Sequence, residues 1–171
     1  MRLSEHFTLT EAMRSQVARR SGIDNTPGLQ ARENLELVAA TVLEPPRVHF
    51  GIAFSPSSWF RCLELEAELC RRTIRRLLES GRIATAEEYL EKKQHPKGEA
   101  VDFEIPGIPN LVLATWLRDN LEAFDQLILE FCDPEDPAGG WVHASRSGDG
   151  RDRRQVLTFD GRTYTAGLPS L

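Results

Sequence analysis

Apolar side chains recur at helical spacing through much of the first two thirds of the chain. Thr8 and Glu11 have the spacing of a capping box, and Gly22 suits the left-handed position that follows a helix. Asn110 is the predicted N-cap of a helix that runs through Asn120. The pattern predicts helices over 7–22, over 35–42 up to a stop at Pro45-Pro46, over 59–81, from Thr85 through Glu91, and over 110–120.

A two-residue alternation of apolar and polar side chains marks the predicted strands. Asp160-Gly161 between two such runs favours a type I′ hairpin. Helices followed by a mostly antiparallel meander predict a single α+β domain, with a small sheet and helices packed on one face. Strands are predicted over 48–54, 99–105, 124–131, 141–145, 155–159 and 162–165, with loops over 92–98 and 133–140.

Composition narrows the class of protein. The 171 residues suit one domain, and a net charge of −5 argues against a nucleic-acid partner. Arg71-Arg72 and Arg75-Arg76 are therefore interpreted as a solvated helix face. Three cysteines without paired spacing argue against a disulfide scaffold. We expect no membrane span, no secretory signal at the N-terminus and synthesis in the cytoplasm.

Two histidines and one aspartate stand in unusual positions on the predicted strands. Val101 and Phe103 alternate with Asp102, and Val142 and Ala144 flank His143, so Asp102 and His143 point away from the apolar face. If the two strands share a sheet, these side chains and His95 can meet. Two imidazoles and a carboxylate suit a zinc ion with a fourth position for water. Surface residues, or histidines satisfied by hydrogen bonds, remain the alternative.

A zinc hydrolase also needs a general base, and the strand over 124–131 offers one. Leu127 and Leu129 face the core in this pattern, whereas Ile128 and Glu130 face the other side. Glu130 is therefore placed to take a proton from water and to pass it to a leaving amine.

The motif His95-x-x-Gly98-x-Ala100-x-Asp102, followed by Trp141-x-His143, resembles the zinc signature of the D-Ala-D-Ala carboxypeptidase-like family. That family has the hedgehog/DD-peptidase fold, and the bacterial and phage branch is the most similar. The resemblance covers nearly the whole chain except about 63–92. Its supporting segments lie at 3–11, 22–27, 43–45, 125–130 and 154–157.

The resemblance implies a zinc peptidase that cleaves peptidoglycan stem peptides as a D,D-carboxypeptidase or endopeptidase. The protein would be phage- or prophage-encoded and would act at the cell wall or within a virion. It also implies substrate-side roles for two residues. Arg61, in Ser58-Trp59-Phe60-Arg61, would bind a substrate carboxylate or oxyanion, and Trp141 would contact the substrate. Separately from the resemblance, the ammonium of Lys93 is expected to pair with the terminal carboxylate of a substrate.

Three departures from the family pattern leave a second hypothesis open. Trp59 replaces a glycine and is expected to crowd a tight turn, and Lys93 replaces a serine two residues before the first zinc ligand. Gly140 stands where many relatives have their catalytic glutamate, so the base is assigned to Glu130. The alternative is a non-catalytic virion tail, baseplate or assembly protein, with phage structural proteins as partners, that retains the peptidase fold.

Overall fold

The computed structural model describes residues 1–132 and 139–170. The predicted loop over 133–140 falls mostly outside the described residues, of which only Gly139 and Gly140 can be placed. Among the described residues, no helix is long and apolar enough to cross a membrane.

The predicted helix over 7–22 is in fact two short helices, α1 (Leu9–Ala12) and α2 (Gln16–Ser21). The capping box at Thr8 is confirmed, and Gly22 closes α2 in the left-handed conformation at φ 68°. The break arises because the Ser15 side chain accepts a hydrogen bond from the Ala18 backbone N–H and starts a new helix.

The predicted stop at Pro45-Pro46 is wrong, because the chain stays helical from residue 29 to residue 50. α3 (Leu29–Val38) passes through a π-helical turn (Ala39–Leu43) into α4 (Glu44–Phe50). The prolines occupy the first turn of α4, where a missing N–H costs least.

The predicted strand over 48–54 is also wrong. Its first three residues end α4, and Gly51 terminates that helix at φ 66°. The alternating apolar residues are nevertheless partly buried, since Phe50, Ile52 and Phe54 all pack against the core.

The predicted helix over 59–81 begins later, as α5 (Leu63–Glu79), because Trp59 and Phe60 are buried in the core ahead of it. α6 (Ala86–Leu90) is capped by Thr85 as predicted. The paired arginines of α5 lie on an exposed face, which confirms their interpretation as solvated.

The strands form one five-stranded mixed sheet, and the predicted α+β class is confirmed. The strands are β1 (Ala100–Phe103), β2 (Gln126–Glu130), β3 (Trp141–Ser145), β4 (Gln155–Phe159) and β5 (Tyr164–Ala166). Their order in the sheet is β1-β3-β2-β4-β5, with β2 and β4 parallel and the other neighbours antiparallel. α7 (Asn110–Asn120) connects β1 to β2, and Pro109 rather than Asn110 is its N-cap.

The sheet has one apolar face and one polar face. Val101, Leu127 and Val142 belong to the buried core that α3 and α7 complete. On the other face, Asp102 and Ile128 both lie opposite His143 in the strand register. The sequence predicts helices on one face of the sheet. The structure differs from this prediction, because α5 borders a cavity over the polar face.

The turn that carries His95 is fixed by a glycine. A 3-10 turn (His95–Lys97) ends at Gly98, whose φ is +75°. A Cβ at this position would lie 2.3 Å from the Ala31 carbonyl oxygen of α3, so glycine alone fits. Close packing on α3 thus holds the turn in place.

We predict that Gly98→Ala destabilises the protein far more than Gly107→Ala. Both glycines have a positive φ, but a Cβ at Gly107 meets nothing within 4 Å. Conformational strain alone costs about 1–2 kcal/mol, and overpacking at Gly98 adds a further ~1–3 kcal/mol. Denaturant unfolding of the two variants measures the difference; equal losses would contradict the packing account.

Candidate metal centre

His95, Asp102 and His143 meet on the polar face of the sheet. Asp102 Oδ1 lies 3.3 Å from His95 Nε2 and 2.8 Å from His143 Nδ1. All three residues are buried, and their ligand atoms lie within 4.8 Å of one another. The structure therefore brings together the three residues that the sequence pattern singled out, in a group that could hold a metal ion.

Hydrogen bonding to the backbone sets the tautomer of His95. Its Nδ1 lies 2.6 Å from the Trp59 carbonyl oxygen, so Nδ1 carries the proton and donates to that oxygen. In the neutral ring, Nε2 then presents a lone pair to the Asp102 carboxylate. Two facing acceptors need a cation between them, either a proton or a metal ion. A carbonyl that orients a histidine in this way is typical of metal sites.

The distances agree with a small coordination sphere. Ligands about 2.0–2.2 Å from a tetrahedral ion stand roughly 3.3–3.6 Å apart. The 3.3 Å separation of His95 Nε2 and Asp102 Oδ1 matches that spacing. The 2.8 Å contact of His143 has the length of a hydrogen bond and requires a small displacement on binding. The donor set of His95 Nε2, His143 Nδ1 and one carboxylate oxygen fits a borderline divalent metal.

The second oxygen of Asp102 is bound by Arg61. The guanidinium Nη2 donates to Asp102 Oδ2 at 2.6 Å, and Arg61 Nε donates to Ser58 Oγ at 2.8 Å. A third contact reaches Glu66 Oε2 at 3.4 Å. Because Arg61 occupies one carboxylate oxygen, it leaves the other to face the histidines.

The segment before α5 is hydrogen-bonded directly to β1, the strand that carries Asp102. Ser58 forms an antiparallel bridge with Asp102, and the Asp102 N–H donates to the Ser58 carbonyl at 2.7 Å. This pairing delivers both the Trp59 carbonyl and the Arg61 side chain. Trp59, which was expected to crowd a tight turn, is 1% exposed, and its indole packs edge-on against Phe7 in the core.

The charge state of Asp102 follows from its neighbours. Burial by itself would raise the pKa of this carboxyl group, but the adjacent His95 and His143 outweigh burial and hold the pKa well below its usual range. The side chain therefore stays an anion on the sheet face, as a metal ligand must.

Glu130 faces the same cavity from β2. It lies opposite Trp141 in the register, and the cavity of about 290 Å³ is lined by both of them and by the three clustered residues. Burial raises the pKa of Glu130; His143 opposes the rise and the charge of Asp102 adds to it. A raised pKa suits a carboxylate that both accepts and returns a proton.

Lys93 also lines this cavity, and its ammonium lies 4.3 Å from the centre of the Tyr89 ring. Its position agrees with contact to a bound ligand, as does that of Trp141. Neither residue touches the three clustered residues in any described hydrogen bond or ion pair.

Gly140 explains the absence of a glutamate at its position. Its φ is +75°, and a Cβ there would lie 1.9 Å from the Glu130 carbonyl oxygen. No side chain fits at this position. Phe131, which follows β2, has a φ of 54°.

Sequence reasoning missed the cavity wall that α5 contributes through Glu66 and Cys70. Glu66 is 2% exposed, and the Cys70 thiol lies 3.4 Å from Glu66 Oε1. Burial raises the pKa of Cys70 and also that of Tyr89 across the same wall. A usable signal was the stripe of Glu66, Cys70 and Ile74 at intervals of four, which places a carboxylate on the inner side of α5.

No protein-family model matches the sequence, and neither a curated protein nor a solved structure matches the chain.

We predict that His95→Ala and His143→Ala each abolish stoichiometric binding of a divalent metal, because two protein ligands do not hold the ion tightly. Titration with Co²⁺ and Zn²⁺ measures binding. His49→Ala is the matched control, since His49 is exposed and stacks on Trp116 outside the cluster. Full metal binding by both cluster variants would rule out the assignment.

We predict that Arg61→Ala lowers metal affinity about 10–100-fold, the usual effect of removing a group that orients a ligand. Asp102 would lose the partner that occupies Oδ2. Arg72→Ala serves as the control, because Arg72 lies on the exposed face of α5. An unchanged metal affinity in Arg61→Ala, with loss of substrate binding alone, would instead support the role implied by the family resemblance.

Proposed function

We propose that the protein is a zinc peptidase that cleaves peptidoglycan stem peptides. The observation that carries this proposal is the buried His95–Asp102–His143 group with Glu130 beside it in one cavity. Two histidines, one carboxylate and a separate acid are the components of a hydrolytic zinc site. The resemblance of the surrounding motif to D-Ala-D-Ala carboxypeptidase-like enzymes supports the substrate class.

Each residue has a distinct role in this proposal. His95, Asp102 and His143 hold the zinc ion, which when bound lowers the pKa of water to about 7 and polarises a carbonyl group. The Trp59 carbonyl and Arg61 keep His95 and Asp102 in their orientations.

Glu130 moves the proton. It accepts a proton from the attacking water as the water oxygen bonds to the scissile carbonyl carbon. It then returns that proton to the amine as the carbon–nitrogen bond breaks, which leaves Glu130 ionised again. Burial raises the pKa of Glu130, so its carboxyl group holds a proton more readily than an exposed glutamate does.

A specific observation favours the second candidate, a non-catalytic virion component with the same fold. Arg61, the residue that the resemblance assigns to the substrate carboxylate, is already bound to Asp102 and Glu66. If a substrate carboxylate took Arg61 from these partners, the buried carboxylates of Asp102 and Glu66 would lose their ion pair. In the enzyme hypothesis, Lys93 therefore takes the substrate carboxylate while Arg61 keeps its ion pairs.

We predict that Glu130→Gln lowers hydrolysis of purified sacculi by about 10²–10⁴-fold and leaves metal binding intact. The assay is zinc-dependent release of stem-peptide fragments. Digestion at the wild-type rate would show that the base is another group.

The stability of the same variant separates lost catalysis from lost folding. A folded-state pKa above the unfolded value means that the native state binds the Glu130 proton more tightly, so this group lowers stability as pH rises through that pKa. Gln carries no charge, so Glu130→Gln should be at least as stable as wild type at neutral pH. A large drop in melting temperature would make the kinetic loss uninformative about catalysis and contradict the account of burial.

We predict that Lys93→Ser weakens binding of a stem peptide with a free terminal carboxylate and leaves zinc affinity nearly unchanged. Lys97→Ser is the control, since Lys97 lies outside this cavity. Titration of both variants, run beside the digestion assay, measures the effect. Unchanged peptide binding with no digestion by any variant would favour the virion component.

A further inference from the structure

A second cavity, of about 440 Å³, lies beside the metal centre between α2, the segment at 57–61 and α5. Its charged lining consists of Arg14, Arg20 and Arg61, and none of its described lining residues is acidic. In a chain with a net charge of −5, such a lining is a local concentration of positive charge.

Two of these arginines have no counter-charge. Within the described part of the chain, neither Arg14 nor Arg20 takes part in an ion pair, whereas Arg61 is paired with Asp102 and Glu66. Both arginines are exposed to solvent, so their guanidinium groups are accessible to an oxyanion with coplanar oxygens, which matches the geometry of the guanidinium fork.

Neutral donors complete the lining. Ser58 Oγ accepts from Arg61 Nε at 2.8 Å, which leaves its own hydroxyl proton available to a ligand. Ser15 and Gln16 of the same cavity are also polar.

Arg61 joins this cavity to the metal centre. It lines both cavities, and its Nη2 lies 2.6 Å from Asp102 Oδ2. An extended peptide advances about 3.3–3.6 Å per residue. A substrate that passes Arg61 with its scissile bond at the cluster would place a group a few residues away in the second cavity.

We propose that this cavity is a subsite for a side-chain or backbone carboxylate of the peptide substrate, with Arg14 and Arg20 as its recognition residues. The inference rests on the proposed function for its substrate, but the charge of the cavity is independent of catalysis. An anionic wall polymer with phosphate groups offers related oxyanion chemistry and is distinguished by the test.

The test is a calorimetric titration of the full-length protein, without added metal, with a stem-peptide fragment and with the same fragment amidated at its carboxylates. Arg14→Gln and Arg20→Gln should each weaken binding of the acidic fragment about fivefold. Neither change should affect the amidated fragment. Arg19→Gln is the matched control, because Arg19 is exposed on α2 but does not line the cavity.

Equal affinity for the acidic and amidated fragments would overturn the subsite, as would equal losses in Arg19→Gln and Arg20→Gln. Displacement of the acidic fragment by inorganic phosphate at lower concentration than by free acetate would overturn the carboxylate assignment. Carboxylate-dependent binding without sacculus digestion would leave the subsite intact and remove the proposed peptidase activity. Digestion with arginine-independent binding would do the reverse.

Discussion

A carboxylate buried on a sheet face must be compensated by positive charge, and the architecture around Asp102 follows from this constraint. Arg61 occupies one oxygen, and the other faces His95 and His143. The Trp59 carbonyl accepts the Nδ1 proton of His95, so that Nε2 is the ring nitrogen that faces Asp102. The site therefore attracts a cation. The supporting contacts come from the segment at 57–61, which pairs with β1 through Ser58 and Asp102.

Local patterns predicted the site better than they predicted the helices around it. Alternation on two strands was enough to put Asp102 and His143 on one face, because the side-chain period of a strand is independent of its partner. The same rule failed over 48–54, where the end of α4 and the irregular segment after it place alternate apolar side chains against the core. Pro45-Pro46 misled for a related reason: a π-helical turn just before them places both prolines in a first turn.

Long-range pairing could not be read from the chain. The parallel pairing of β2 with β4 depends on how the connection after β3 crosses the sheet, and no local pattern records that path. The contact of Arg61 with Asp102 spans 41 residues and needs the bridge at Ser58 to bring the two together. Glu66 belongs to a helix rich in charged residues, yet tertiary packing buries it against Arg61.

The central claim is that His95 Nε2, His143 Nδ1 and one Asp102 oxygen form a metal site. X-ray absorption spectroscopy of the zinc-loaded protein tests it most directly, because it reports the ligand atoms themselves. The account predicts two imidazole nitrogens and one or two oxygens at about 2.0–2.2 Å, with no sulfur. A sulfur shell near ~2.3 Å, or a coordination sphere of oxygen alone, would contradict it.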